Sequence, residues 1–220
     1  MNLYEIAQLR CPYCRQNEGW DGSLEYRGTN LELEIMDGVL VCNSCCVAWG
    51  VQDGWIRLTR EDRSPFVDKL KRGLANNAPK LHDIGLKLAG RSPCRMIASA
   101  IQACRLEQLE SGEETVKILE IGVGSGSNLP SLYEAAPGGT HIWGIDMSIG
   151  LLERCRRKVE AEPALSETRL LMADPHKMPF EDELFDRVIY VGELSDFREP
   201  DAVRKEMLRV VKADGMVFPA

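Results

Sequence analysis

The sequence predicts an α/β fold, a doubly wound and mostly parallel sheet preceded by a small antiparallel ribbon. Three observations predict it. Short apolar, β-branched runs alternate with helical patterns through the second half of the chain. A glycine-rich turn follows the first of those runs, and two Cys-x-x-Cys pairs bracket a strand-rich segment near the start.

At 220 residues the chain can bury a substantial core, enough for one large unit and something small. No stretch, Met1 to Arg10 included, is apolar over a membrane-spanning length, so a cytoplasmic protein without a membrane partner is expected. The net charge of -7 argues against a wholesale polyanion binder. The charge is uneven, however: residues 1–50 carry 3 basic and 7 acidic side chains, 51–105 carry 11 and 5, and 106–220 carry 13 and 22. The middle is basic and both flanks are acidic.

Residues 1–58 read as the ribbon. Cys11, Cys14, Cys42 and Cys45 form two knuckles, each able to point two thiolates at one ion, and together they complete a closed tetrahedral zinc site of the structural kind. Disulfides or redox dithiols are the competing reading. Between the knuckles, Leu24-Glu25-Tyr26 and Leu31 to Ile35 alternate apolar and polar residues, and Asp37-Gly38 supplies a hairpin turn before Val39. Cys46 stands where a knuckle favours glycine; it is a spare thiol, or a substitute ligand should Cys45 be displaced. A unit this small needs its metal, and zinc loss is expected to unfold it without necessarily unfolding the rest.

Residues 59–110 read as a basic helical connector, with Ser64-Pro65 at a helix start and Phe66, Leu70 and Leu74 at helical spacing. Its Arg and Lys residues could attract RNA or an anionic small molecule, although such runs are commonly solvated helix faces and aromatics for stacking are sparse. Cys94 and Cys104, ten apart, fall off a common helix face and read as small core residues.

Residues 111–220 carry the alternating pattern. Val116 to Ile121 is a strand, and Gly122, Gly124 and Gly126 follow at alternate positions, where positive φ is needed and where no Cβ can stand between main chain and ligand. Thr140 to Ile145 forms a second strand ending in Asp146, Arg169 to Ala173 a third ending in Asp174, and Phe185 to Val191 a fourth. A helical pattern through Val203, Met207, Leu208, Val210 and Val211 leads to a fifth, Gly215 to Phe218. Acids at strand ends suit ligand contact at the sheet's carboxyl edge, although each could instead cap a helix.

The ordered motifs I-L-E-I-G-V-G-S-G, W-G-I-D-M-S, L-M-A-D-P-H-K-M-P-F, F-D-R-V-I-Y and V-R-K-E-M-L-R-V-V-K-A-D-G resemble those of the class I S-adenosylmethionine-dependent methyltransferases, a Rossmann-like family, over about half of the chain. The ribbon's L-R-C-P-Y-C, D-G-V-L-V-C-N-S-C and V-Q-D-G-W-I-R-L resemble the small zinc-ribbon proteins that activate methyltransferases, here fused to one. The methyltransferase resemblance implies that Glu120 helps hold the methionine ammonium, that Gly122, Gly124 and Gly126 pass close to the amino acid part, and that Asp146 binds the ribose hydroxyls. It further implies that Met147 lies on the adenine face, that Asp174 accepts from the adenine amino group and that Tyr190 flanks the methyl group; S-adenosylhomocysteine would be the product. Leu74 to Asp83 resembles a degenerate A-P-x-Y-D element with His82 in place of tyrosine.

Methyl transfer from a sulfonium releases a neutral leaving group, so a base is needed only if the nucleophile must lose a proton. His82, Tyr190 and Glu193 are the candidates. The expected function is methylation of a small-molecule acceptor; RNA base methylation through the ribbon and connector, and non-catalytic cofactor binding, are the alternatives. Related domains continue through a further helix and an antiparallel strand pair, so the sheet is expected to lack its last strands; either the chain is truncated or a second copy or a partner covers the edge beside Met216 to Phe218.

Overall fold

The computed structural model describes residues 3–14, 21–31, 34–52, 54–59, 93–110, 112 and 114–219. The candidate base His82, the A-P-x-Y-D-like element and most of the basic connector lie outside the described residues.

One helical turn, α1 (Leu3–Ile6), precedes four ribbon strands, β1 (Leu24–Leu31), β2 (Glu34–Cys42), β3 (Ala48–Gln52) and β4 (Trp55–Leu58), each antiparallel to the next. Asp37-Gly38, expected as a hairpin turn, lies inside β2 instead. Gly38 stands opposite Gly28 on β1 and Val51 on β3, beside a register shift between Gly28 and Asn30. A Cβ on Gly38 would collide with the Arg27 carbonyl, so the glycine marks a close backbone approach and not a reversal.

After α2 (Pro93–Ala103) come β5 (Lys117–Ile121), α3 (Leu129–Ala135), β6 (His141–Asp146), α4 (Ile149–Ala161), β7 (Thr168–Ala173), β8 (Phe185–Tyr190), α5 (Pro200–Val210) and β9 (Val211–Phe218). All five expected strands are present and pair in parallel. The last begins earlier than the apolar run suggested, because α5 stops at Val210 and Val211 already pairs with Phe185.

The strands form one nine-stranded sheet in the order β1-β2-β3-β4-β7-β6-β5-β8-β9. Successive residues of the parallel strands face opposite layers, as the strand period requires. Ile118 and Ile142 pack with Leu132 of α3 and Leu152 of α4, whereas Leu119, Trp143 and Ile145 pack with Val203 and Met207 of α5. Cys104 is buried in the first layer, and burial raises its thiol to about 11, in keeping with a core residue. Among the described residues, no helix is long and apolar enough to cross a membrane, and β9 pairs only with β8.

The ribbon is not a separate layer. Its strand β4 pairs in parallel with β7, Leu58 opposite Ala173, and Leu9 bridges Phe180. The Arg10 N–H donates to the Pro179 carbonyl at 3.0 Å, and Glu5 of α1 pairs with Arg169 of β7. Ile6, Leu9, Leu40 and Ile56 belong to the same apolar cluster as Leu119, Trp143 and Phe180. The ribbon and the parallel sheet therefore share a core.

Phe180 occupies that joint, edge-on to Trp143 (centroids 5.6 Å) and Phe185 (4.9 Å). Phe180→Ala should lower the unfolding free energy by about 3–5 kcal/mol in urea titration, through lost burial and the cavity left behind.

Candidate cofactor site and cysteine cluster

The order β7-β6-β5-β8 reverses direction at β5, and a doubly wound sheet opens a crevice at its carboxyl edge where that happens. The glycine turn leaves β5 at this point. Gly122, Gly124 and Gly126 all have positive φ, at 67°, 55° and 75°. Their reasons differ. Around a Cβ at Gly124 there would be only the Gly122 carbonyl, at 3.8 Å, so the surface there stays open. At Gly126 a Cβ would lie 2.7 Å from Cys155 Sγ of α4, so this glycine serves close packing of the helix. Lys158, one turn further along α4, donates to the Gly126 carbonyl at 3.0 Å.

The first N–H groups of the turn do not point outward. Gly122 and Val123 donate to the Ile145 carbonyl at 2.8 and 3.1 Å, and Gly124 donates to Asp146 Oδ2 at 3.0 Å. Sheet continuity takes those donors first.

Glu120 lies at the end of β5 with 1% of its surface exposed. Asn128 Nδ2 donates to its Oε1 at 2.8 Å, while Oε2 has no hydrogen-bond partner. Burial raises this carboxyl to about 8; the nearby Asp146 charge adds to the rise, and Asn128 and Lys158 oppose it. An acid held this way invites a donor or a cation at Oε2. Asn128 was not found from the sequence, where an Asn just before a helix reads as a cap; its side chain makes no cap and turns to Glu120.

Asp146 accepts from Gly124 N–H on Oδ2 and from Ser148 N–H on Oδ1, at 3.0 and 2.7 Å. These two bonds orient the carboxylate. Met147 is half-buried beside it. Asp174, after β7, accepts on Oδ1 from the backbone N–H of His176 at 2.9 Å and from its ring Nδ1 at 2.7 Å. Burial would raise Asp174, but the His176 donors outweigh it and hold the carboxyl below its usual range.

Tyr190 ends β8, its ring 3.4 Å from where a Cβ on Gly122 would stand, and its hydroxyl donates to Asp196 Oδ2 at 3.1 Å. Glu193 and Asp196 cap the short 3₁₀ turn Leu194–Asp196 reciprocally, so Glu193 is engaged as a cap, whereas Tyr190 borders the glycine turn. Phe197, unremarked in the sequence, leans on Tyr190 and stands edge-on to His176.

On the far side of the ribbon, the sulfurs of Cys11, Cys14, Cys42 and Cys45 lie within 4.8 Å of one another. Cys11–Cys45 and Cys14–Cys42 are 3.7 and 3.4 Å apart, too far for disulfide bonds and close to the ~3.8 Å edge of a tetrahedron with Zn–S near 2.3 Å. At Cys42, burial is outweighed by N–H donation from Cys45 and Ser44 and the thiol is lowered, whereas burial raises the thiols of Cys14 and Cys45. Cys46 is exposed with φ of 59° and stands outside the four, which fits the spare-thiol expectation.

The parallel strands and their switch point at β5 make a Rossmann-like, doubly wound sheet of the kind that methyltransferases use. Residues 118–215 match the family described as methyltransferase domain. A phosphatidylethanolamine N-methyltransferase of Cereibacter sphaeroides is 34% identical over 137 residues, 62% of this chain and 61% of that protein. A demethylmenaquinone methyltransferase of Clavibacter sepedonicus is 32% identical over 101 residues, 46% and 39% of the two. The chain thus spans less than two thirds of these relatives. A solved S-adenosylmethionine-dependent methyltransferase from Aquifex aeolicus superposes with a TM-score of 0.41 at 22% identity, over 55% of this chain and 68% of that one.

Because Glu120 is raised from 4.5 to about 8, the folded chain keeps its proton where the unfolded chain has lost it. Its contribution to stability is full below about 4.5 and is lost as pH rises to about 8. Relative to Glu120→Gln, the ligand-free wild type should lose stability over that window, on the order of a few kcal/mol in urea titrations at successive pH values.

Proposed function

We propose that the protein transfers a methyl group from S-adenosylmethionine to a small-molecule acceptor, and that the four cysteines hold a structural zinc ion. The observation that carries the first part is the buried Glu120 carboxyl, with one oxygen unpaired, at the head of an open glycine turn. That orphaned acceptor suits the methionine ammonium, whose arrival would stabilise the ionised carboxylate. Asp146 would take the ribose hydroxyls, Met147 the adenine face, Asp174 the adenine amino group, and the glycine turn, with its open surface at Gly124, the amino acid part.

When bound, S-adenosylmethionine supplies a methyl activated by a sulfonium, which leaves as a neutral thioether. The chain's own residues then have to align an acceptor and exclude water. Tyr190, beside Gly122, is placed to flank the acceptor, and its hydroxyl bond to Asp196 offers a route for a proton should the acceptor carry one. The relatives' names include a phospholipid and a quinone as acceptors, which supports the small-molecule class.

Zinc rests on the four converging sulfurs and on the absence of any bond between them. A cytoplasmic location fits the same thiols, since an oxidising compartment would favour their closure as disulfides.

Calorimetric titration with S-adenosylhomocysteine should show micromolar binding that Asp146→Ala abolishes; a folded wild-type chain that does not bind it would overturn the methyltransferase reading. Metal analysis should find about one zinc per chain, lost in Cys14→Ser, and chelation should lower the unfolding midpoint of the whole chain in one transition because ribbon and sheet share a core.

A further inference from the structure

We infer that His176 is a positioning residue which makes this site selective for a 6-aminopurine, by holding Asp174 with one oxygen bonded and the other available. The inference rests on the cofactor reading above and names what that reading leaves open, the residue that sets base selectivity.

Asp174 stands just past the carboxyl end of β7, next to β6, where Asp146 pairs with Met172. Two donors converge on its Oδ1, the His176 N–H at 2.9 Å and the His176 ring Nδ1 at 2.7 Å. Two bonds to one oxygen fix both side-chain torsions of a residue that would otherwise be free to turn. Among the described residues, Oδ2 has no hydrogen-bond donor. The ring donor requires a proton on Nδ1, so the neutral tautomer that carries it and the imidazolium both serve.

The histidine is itself held. It lies in the 3₁₀ turn Pro175–Lys177, whose first residue is a buried proline. Its ring stands edge-on to Phe197 (5.9 Å, 87°), and Phe197 leans on Tyr190 (4.7 Å, 45°). Tyr190 is tied to Asp196. A chain of contacts therefore runs from the end of β8 across to Asp174, and the free oxygen has a defined position, not a set of rotamers.

A carboxylate oxygen accepts from an amino group and repels an oxo group. Adenine and hypoxanthine differ at position 6 in that way, so a fixed Oδ2 discriminates between them, whereas an Asp174 free to rotate can turn from the oxo group and lose the discrimination. Packing alone would not do this. A histidine that merely supports the wall would affect both bases equally.

The test is calorimetric titration of the full chain with S-adenosylhomocysteine and with S-inosylhomocysteine, made from it by deamination. Wild type should prefer the amino ligand by about 10- to 100-fold, the range of a hydrogen bond to a charged group. His176→Ala should cut that ratio to about threefold or less, and His176→Asn, which keeps a side-chain donor two residues from Asp174, should retain about tenfold. An unchanged ratio in His176→Ala, with both ligands weakened alike, would sink the inference and leave the cofactor reading standing. If neither ligand binds any folded form of the chain, the cofactor reading fails first and this inference with it.

Discussion

Glu120 is a carboxyl group taken fully out of water with, among the described residues, only one of its two oxygens hydrogen-bonded. A buried polar atom without a partner costs roughly 1–3 kcal/mol, and more if the group is charged. The surrounding chain limits that cost. Asn128 gives up its usual capping bond to reach Oε1, Lys158 brings a positive charge to the back of the glycine turn, and the carboxyl stays protonated near neutrality. The strand order that opens a crevice at β5, the glycines that keep its surface clear and the packing of α4 beneath Gly126 all serve the position this one acid occupies.

The other acids at the carboxyl edge are handled differently. Asp146 and Asp174 are each bonded to backbone N–H groups, Asp146 to those of Gly124 and Ser148 and Asp174 to that of His176, so they are oriented before any ligand arrives. They therefore stabilise the turns themselves, and their replacement would loosen those turns. Preorganisation of this kind reduces the ordering that binding must otherwise bring about. Glu120 is thus the acid left unsatisfied among its better-bonded neighbours.

The ribbon enters this arrangement through the backbone. Leu58 pairs with Ala173, the residue before Asp174, and Arg10, the residue before Cys11, bonds to Pro179. The segment from Asp174 to Glu181 is therefore held at both ends by the polypeptide that carries the cysteine cluster. A metal ion in that cluster would stiffen the support of the site's base-facing wall without touching it.

By itself the sequence determined the parallel strands, the three positive-φ glycines, the acids at strand ends and the two cysteine knuckles. Each of these is a local matter: an apolar period of two, a steric demand for glycine, a spacing short enough for two thiolates to share an ion. Asp37-Gly38 shows the limit, since the same dipeptide suits a turn or a close strand crossing, and only the pairing of Gly38 with Gly28 and Val51 decided. Tertiary structure alone decided the joining of β4 to β7, the engagement of Asn128 with Glu120, and the row from His176 through Phe197 to Tyr190. These contacts link residues whose separation along the chain carries no periodic signal, and they exist because the doubly wound sheet brings its carboxyl ends to one edge.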